Sequence, residues 1–228
     1  MRFKNPFKDL TKFELGLWLI SVTVIIVSFA ISGGGDILTI IASLIGVTAL
    51  IFVAKGYVIG QILTVVFAVF YGIISYYFRY YGEMITYLCM TAPIAVMAVV
   101  SWLRNPYEGT KEVKISHVTK NQVIVMSILT VLVTLAFYFI LKAMGTANLL
   151  FSTISITTSF VASYLTFLRS PYYAVAYSAN DIILIVLWTM ATLEDVSYLP
   201  MICCFVMFLI NDMYGFFNWR RMRKCQDG

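Results

Sequence analysis

Eight apolar stretches, each about as long as a membrane crossing, follow one another along this chain: 13–31, 37–53, 57–78, 84–103, 122–143, 148–168, 172–193 and 197–218. A helix rises about 1.5 Å per residue, so about 20 apolar residues span the hydrocarbon core of a bilayer. A helix also satisfies its backbone N–H and C=O groups within its own segment, which lipid cannot do for it. Only 12% of the 228 residues are charged and 61% are hydrophobic, where a soluble domain carries about 25% charged residues. The sequence therefore reads as an all-α integral membrane protein with about eight transmembrane helices.

The net charge of +5 does not point to nucleic acid, because the positive residues lie at the termini and in loops beside the apolar runs. Of the 16 Lys and Arg residues, all but Arg79 and Lys142 fall on one side of the expected membrane. That bias puts both termini in the cytoplasm and supports an even helix count. The basic N-terminal stretch runs into an apolar segment without a small-x-small cleavage site, so it reads as a retained first helix. SGGGD (32–36) reads as a tight turn, and 104–121 is the one long polar connection. The cysteines (Cys89, Cys203, Cys204, Cys225) form no C-x-x-C pair and imply neither disulfides nor a metal site.

Two stretches share an order of landmarks. Each begins with an apolar helix ending in one basic residue, IFVAKGYV (51–58) and TFLRSPYY (166–173). Each continues to an acidic turn, YYGEMITY (80–87) and ATLEDVSY (191–198), and closes on Trp and Arg, SWLR (101–104) and NWRR (218–221). The expected organisation is 1+3+1+3. A tail and extra helix (1–31) precede one three-helix repeat (37–104). A loop and linker helix (105–143) lead to the second repeat (148–221) and a basic tail (222–228). With one helix between three-helix copies the repeats run parallel, a plan known in transporters such as SWEET proteins.

Enzyme signatures are absent: no P-loop, no mid-membrane lysine in the last helix for a Schiff base, and one histidine, His117, in a polar loop. What demands explanation is Asn180-Asp181 and Asn211-Asp212, each inside an apolar run. A carboxylate at the bilayer centre costs at least about 2.5–3.5 kcal/mol, so such residues face a bundle interior or wet cavity and mark substrate or ion paths. No Lys or Arg lies at matching depth to pair with them. Helical spacing puts Tyr173, Tyr177, Asp181 and Trp188 on one face. In the last helix Asn211, Tyr214 and Asn218 form a stripe, with Asp212, Gly215 and Trp219 one position round. Gln61 and Tyr71 are the conspicuous polar groups of the third helix. A serine stripe (Ser152, Ser155, Ser159, Ser163) suits close helix packing. Trp102 and Trp219 read as interfacial anchors, and Tyr76, Tyr77, Tyr80 and Tyr81 as an outer aromatic belt.

The segments INDMYGFFNWRRM (210–222), YGIISYYFRYYGEM (71–84) and LRSPYYAVAYSANDIILIVLW (168–188) resemble the PnuC family of bacterial vitamin transporters, over roughly residues 35 to 222. The resemblance implies a SWEET-like arrangement and facilitated diffusion of nicotinamide riboside, trapped by a cytoplasmic kinase. Relatives in the family carry thiamine, riboflavin or deoxynucleosides. A Trp-x-x-Trp pair of nicotinamide-riboside members is replaced here by Ala174 and Tyr177, and Asn180 is followed by Asp181. A carboxylate there suits a cationic ring or ribose hydroxyls.

On this reading the protein is a uniporter of the cytoplasmic membrane that takes a small vitamin or nucleoside, with no cofactor or metal. The expected substrate-binding residues are Gln61, Tyr177, Asn180, Asp181, Trp188, Asn211, Asp212 and Tyr214. The alternatives are another vitamin, a symporter with Asp181 or Asp212 as proton carrier, and a membrane binding protein without transport. The oligomeric state stays open, a homo-oligomer included.

Overall fold

The computed structural model describes residues 5–32, 37–77, 81–146 and 148–228, apart from the side chains of residues 74, 75, 81 and 82. The glycines of the 32–36 turn, Arg79, Tyr80 and the side chain of Tyr81 lie outside the described residues. The helices are α1 (Lys12–Ile31), α2 (Ile37–Ala54), α3 (Val58–Tyr77), α4 (Tyr81–Ile85), α5 (Ala92–Leu103), α6 (Lys120–Ala143), α7 (Leu149–Phe167), α8 (Tyr173–Glu194) and α9 (Leu199–Asp227). A π-helical turn, Thr86–Thr91, joins α4 to α5, and the stretch Glu83–Leu103 is long enough to span a membrane. Pro93 follows directly, within the first turn of α5; it has no backbone N–H to continue regular pairing. Among the described residues seven helices are long and apolar enough to cross a membrane, and α3 has a shorter apolar stretch, Val58–Ile73. No β-strand forms among them, only isolated bridges in the 104–119 connection and its contact with Tyr57.

Element identity agrees with the sequence expectation almost residue for residue, with one extension. α9 does not stop near residue 218 but continues to Asp227. The segment expected as a separate tail is helical because it has surfaces to pack on. Met222 is buried, and the Gln226 side chain accepts from Ile115 N (2.8 Å) and donates to Val113 O (3.1 Å). The polar connection is thereby folded onto the bundle, with Val113 and Ile115 buried.

α2 packs on α3, α3 on α5, α7 on α8, and α8 on α9. The two groups meet through α2 against α9 and α5 against α7, while α1 lies on α2 and α9, and α6 on α7. In α6 only Leu141 is fully buried, and the face away from α7 is turned outward.

Trp102 and Trp219 are not interfacial anchors. Both are 0% exposed, their ring centroids 5.3 Å apart. Trp102 Nε1 donates to Thr166 O (3.0 Å) and its neighbour Ser101 Oγ to Phe167 O (2.9 Å). Trp219 Nε1 donates to Val53 O (2.9 Å) and its neighbour Asn218 Nδ2 to Ala54 O (2.9 Å). The last turns of α2 and α7 leave carbonyls without helical partners, and a buried indole needs an acceptor. Each need meets the other, so the closing helix of each group caps the opening helix of its counterpart.

The two capped helices also end alike. Gly56 N and Tyr57 N donate to Val53 O and Phe52 O; Arg169 N and Ser170 N donate to Thr166 O and Leu165 O. This is the paired closure of a Schellman turn. It sets Gly56 (φ 72°) and Arg169 (φ 58°) in the left-handed region.

Candidate substrate site

α8 brings Tyr177, Asn180 and Asp181 into the bundle, and α7 supplies partners for the first two. The Tyr177 hydroxyl lies 3.0 Å from Ser163 Oγ and also within reach of Thr166. Asn180 Oδ1 accepts from Ser155 Oγ (3.1 Å) and Thr158 Oγ1 (2.9 Å). Two residues of the serine stripe therefore hold α8 side chains in place as well as permitting close packing.

One step along α8, the Asp181 carboxyl group lies within hydrogen-bonding reach of the Asp212 carboxyl group on α9, and both residues are 3% exposed. Asp181 Oδ2 has no other partner among the described residues. The Tyr173 hydroxyl has none either, and it stands 2.8 Å from where a Cβ on Gly215 would lie. Gly215 is one helical turn beyond Asp212, so that hydroxyl sits in a notch which only glycine leaves open. The Tyr173 ring packs edge-on against Trp219 at 4.9 Å and against Tyr177 at 6.2 Å. A polar layer rests on the Trp102–Trp219 layer.

Gln61, on α3, is buried and lines a narrow cavity with Thr64, Thr91, Ser163, Thr166 and Tyr177. Its volume is about 10 Å³, room for about one water. Thr91, the last residue of the π-helical turn, enters this cavity. Tyr177 is common to both features, on the cavity wall and beside the carboxyl pair.

Five of the eight expected residues thus converge: Gln61, Tyr177, Asn180, Asp181 and Asp212. The other three are elsewhere. Asn211 Nδ2 donates to Ser21 Oγ on α1 (3.0 Å) and to Met207 O (2.7 Å). The Tyr214 hydroxyl donates to Glu14 Oε1 (2.8 Å), and Glu14 is paired with Lys55 at 3.0 Å. These two face the first helix because Asn211 lies about 100° round α9 from Asp212 and Tyr214 lies one turn along from Asn211. Trp188 packs against Tyr198 at 5.5 Å, at the far end of α8. The Glu14–Lys55 pair has no counterpart in the sequence expectation. Lys55 read as a topology signal, yet a lone cation directly after an apolar helix was also a signal that an acid must come near it. Tyr173 shared the expected face of α8 and joins the converging group. Glu83 pairs with Tyr71, and the Tyr71 and Tyr87 rings meet at 4.5 Å. Among the described residues there is no group of three metal-ligating side chains.

The family described as nicotinamide mononucleotide transporter matches residues 36–221. The chain belongs to that family. A nicotinamide riboside transporter PnuC of Neisseria mucosa is 26% identical to this family member over 230 residues, 99% of this chain and 87% of that protein. A nicotinamide riboside transporter PnuC of Haemophilus influenzae is 23% identical over 82% of this chain and 80% of its own length. The crystal structure of the vitamin B3 transporter PnuC superposes with a TM-score of 0.81 at 26% identity, covering 95% of this chain and 94% of that one. This member of the family is accordingly a multi-pass membrane transporter and not an enzyme.

Proposed function

We propose that the protein carries nicotinamide riboside across the cytoplasmic membrane by facilitated diffusion, with both termini in the cytoplasm. The three-helix groups 37–104 and 148–221 act as the repeats of an alternating-access carrier. The substrate meets Gln61, Tyr177, Asn180, Asp181 and Asp212. A cytoplasmic kinase sustains inward flow, since the phosphorylated product carries added negative charge and does not return.

The observation that carries this reading is the position of Tyr177. Its hydroxyl is oriented by Ser163, and its side chain joins the Gln61 cavity to the carboxyl pair. An aromatic face with polar groups on two sides suits a flat ring bearing a ribose. The names of the relatives support the choice of vitamin. The cavity's about 10 Å³ is far below the about 300 Å³ or more of a ligand pocket, so admitting a vitamin requires the helix groups to part. The Trp102 and Trp219 clamps lie at the end rich in Lys and Arg, which the positive-inside rule assigns to the cytoplasm. Opening that end means breaking them.

Uptake of labelled nicotinamide riboside into proteoliposomes tests the proposal. Saturable uptake above empty liposomes is expected, unchanged by a protonophore and abolished in Asp181→Ala. Normal uptake by that variant would overturn the site. Flux no greater than that of empty liposomes would overturn transport of this vitamin.

A further inference from the structure

Neither oxygen of a carboxylate donates a hydrogen. Two carboxyl groups in hydrogen-bonding contact, as Asp181 and Asp212 are, therefore need a proton between them, since two ionised groups at that separation repel. One shared proton leaves the pair with a single negative charge. Among the described residues no Lys, Arg or His forms an ion pair with either. The titratable groups facing the pair are Tyr173 and Tyr177 on α8, Cys204 on α9 and Tyr87 on the π-helical turn. All four are side chains that bring no positive charge. Asp181 Oδ2 and the Tyr173 hydroxyl, on residues 3% and 1% exposed, have no partner among the described residues. With that one proton shared, a net charge of minus one lies beside two tyrosine rings with polar atoms to spare.

We propose that the Asp181–Asp212 pair is a receptor for one permanent positive charge carried on a flat ring. The substrate class is then N-substituted heteroaromatic monocations, of which an N-ribosyl pyridinium and a thiazolium are examples, and neutral rings of the same shape are rejected. A monocation balances the pair with no proton entering or leaving. The rings of Tyr173 and Tyr177 offer the negative face that a cationic ring favours. A single carboxylate next to an asparagine would match the same charge; two asparagines would not. This inference rests on the proposal that these residues line the substrate path.

The test uses the purified full-length protein and ligand-induced thermal stabilisation with isosteric pairs. Nicotinamide riboside is compared with its uncharged 1,4-dihydro form, and thiamine with an analogue whose ring nitrogen cation is replaced by carbon. At least tenfold tighter binding of the cationic member is expected in one pair. Asp181→Asn and Asp212→Asn should each keep that preference, and the double variant should lose it. Binding heats measured in buffers of different ionisation enthalpy should show no proton exchange. A preference in the thiamine pair alone keeps the inference and overturns nicotinamide riboside as substrate. Equal binding within both pairs, no binding of any of the four, release of a proton, or a double variant that keeps the preference each overturns it. The wild-type comparison decides the matter even where the double variant does not fold.

Discussion

Gly215 shows how much a single hydrogen in place of a methyl group decides here. A Cβ would stand 2.8 Å from the Tyr173 hydroxyl, and that ring cannot retreat because Trp219 packs against it at 4.9 Å. Gly215→Ala is expected to cost about 1–3 kcal/mol by overpacking and to weaken ligand-induced stabilisation, read by thermal melts with and without nicotinamide riboside. Gly16→Ala is the control: nothing lies within 4 Å of its Cβ position, so the melt should stay level or rise slightly. Lys55 is the second such residue. Removing it leaves Glu14, whose side chain is 2% exposed, with hydrogen bonds from Tyr214 and Thr11 but no cation; breaking a fully buried pair costs about 3–5 kcal/mol, and this partly open one should cost less. Lys55→Met should therefore melt below wild type, and adding Glu14→Gln should restore part of the loss. A melt of Lys55→Met equal to wild type would mean the pair contributes nothing.

At the scale of elements, the carbonyl ends of α2 and α7 depend on donors from the opposite group. Trp102→Phe and Trp219→Phe each delete one hydrogen bond to a buried carbonyl while keeping most of the ring volume. Each should cost about 0.5–1.5 kcal/mol, the net worth of one hydrogen bond, because Val53 O and Thr166 O keep the N–H groups of Gly56 and Arg169. The two losses should be similar, because the two clamps are built alike. A large loss for one and none for the other would show that the clamps are not equivalent. Gly60 sets the approach of α3 to α2, since a Cβ there would come within 2.4 Å of Val53 N. Gly60→Ala is accordingly expected to yield little folded protein in size-exclusion chromatography, as backbone cannot move aside as a side chain can.

For the whole molecule, the first helix is held by polar contacts to α9. Ser21 meets Asn211 at 3.0 Å, and Glu14 meets Tyr214 at 2.8 Å. α1 lies outside the matched family region, 36–221, yet deleting residues 1–31 would leave Asn211 without Ser21, Tyr214 without Glu14 and Lys55 without its acid. Truncation is expected to destabilise the detergent-solubilised protein more than Lys55→Met alone does. A truncated protein that melts like wild type would show that α1 is an independent appendage.

Helix number and most helix limits follow from the sequence alone, because apolar length is a local property that the bilayer reads segment by segment; the end of α9 at Asp227 does not. The contrast of Asp181 with Trp188 on one expected face marks where that reading stops. Shared helical face fixes direction, but not which neighbour occupies that direction at each depth. Asn211 and Asp212 are adjacent in sequence and turn to different helices, one to α1 and one to α8. Trp102 and Trp219 looked like headgroup anchors because they end apolar runs beside arginines; the tertiary fold makes them a buried pair. Which helices become neighbours depends on contacts between distant segments, such as the 166 residues separating Val53 from Trp219. The chain's hydrophobic pattern carries no record of them.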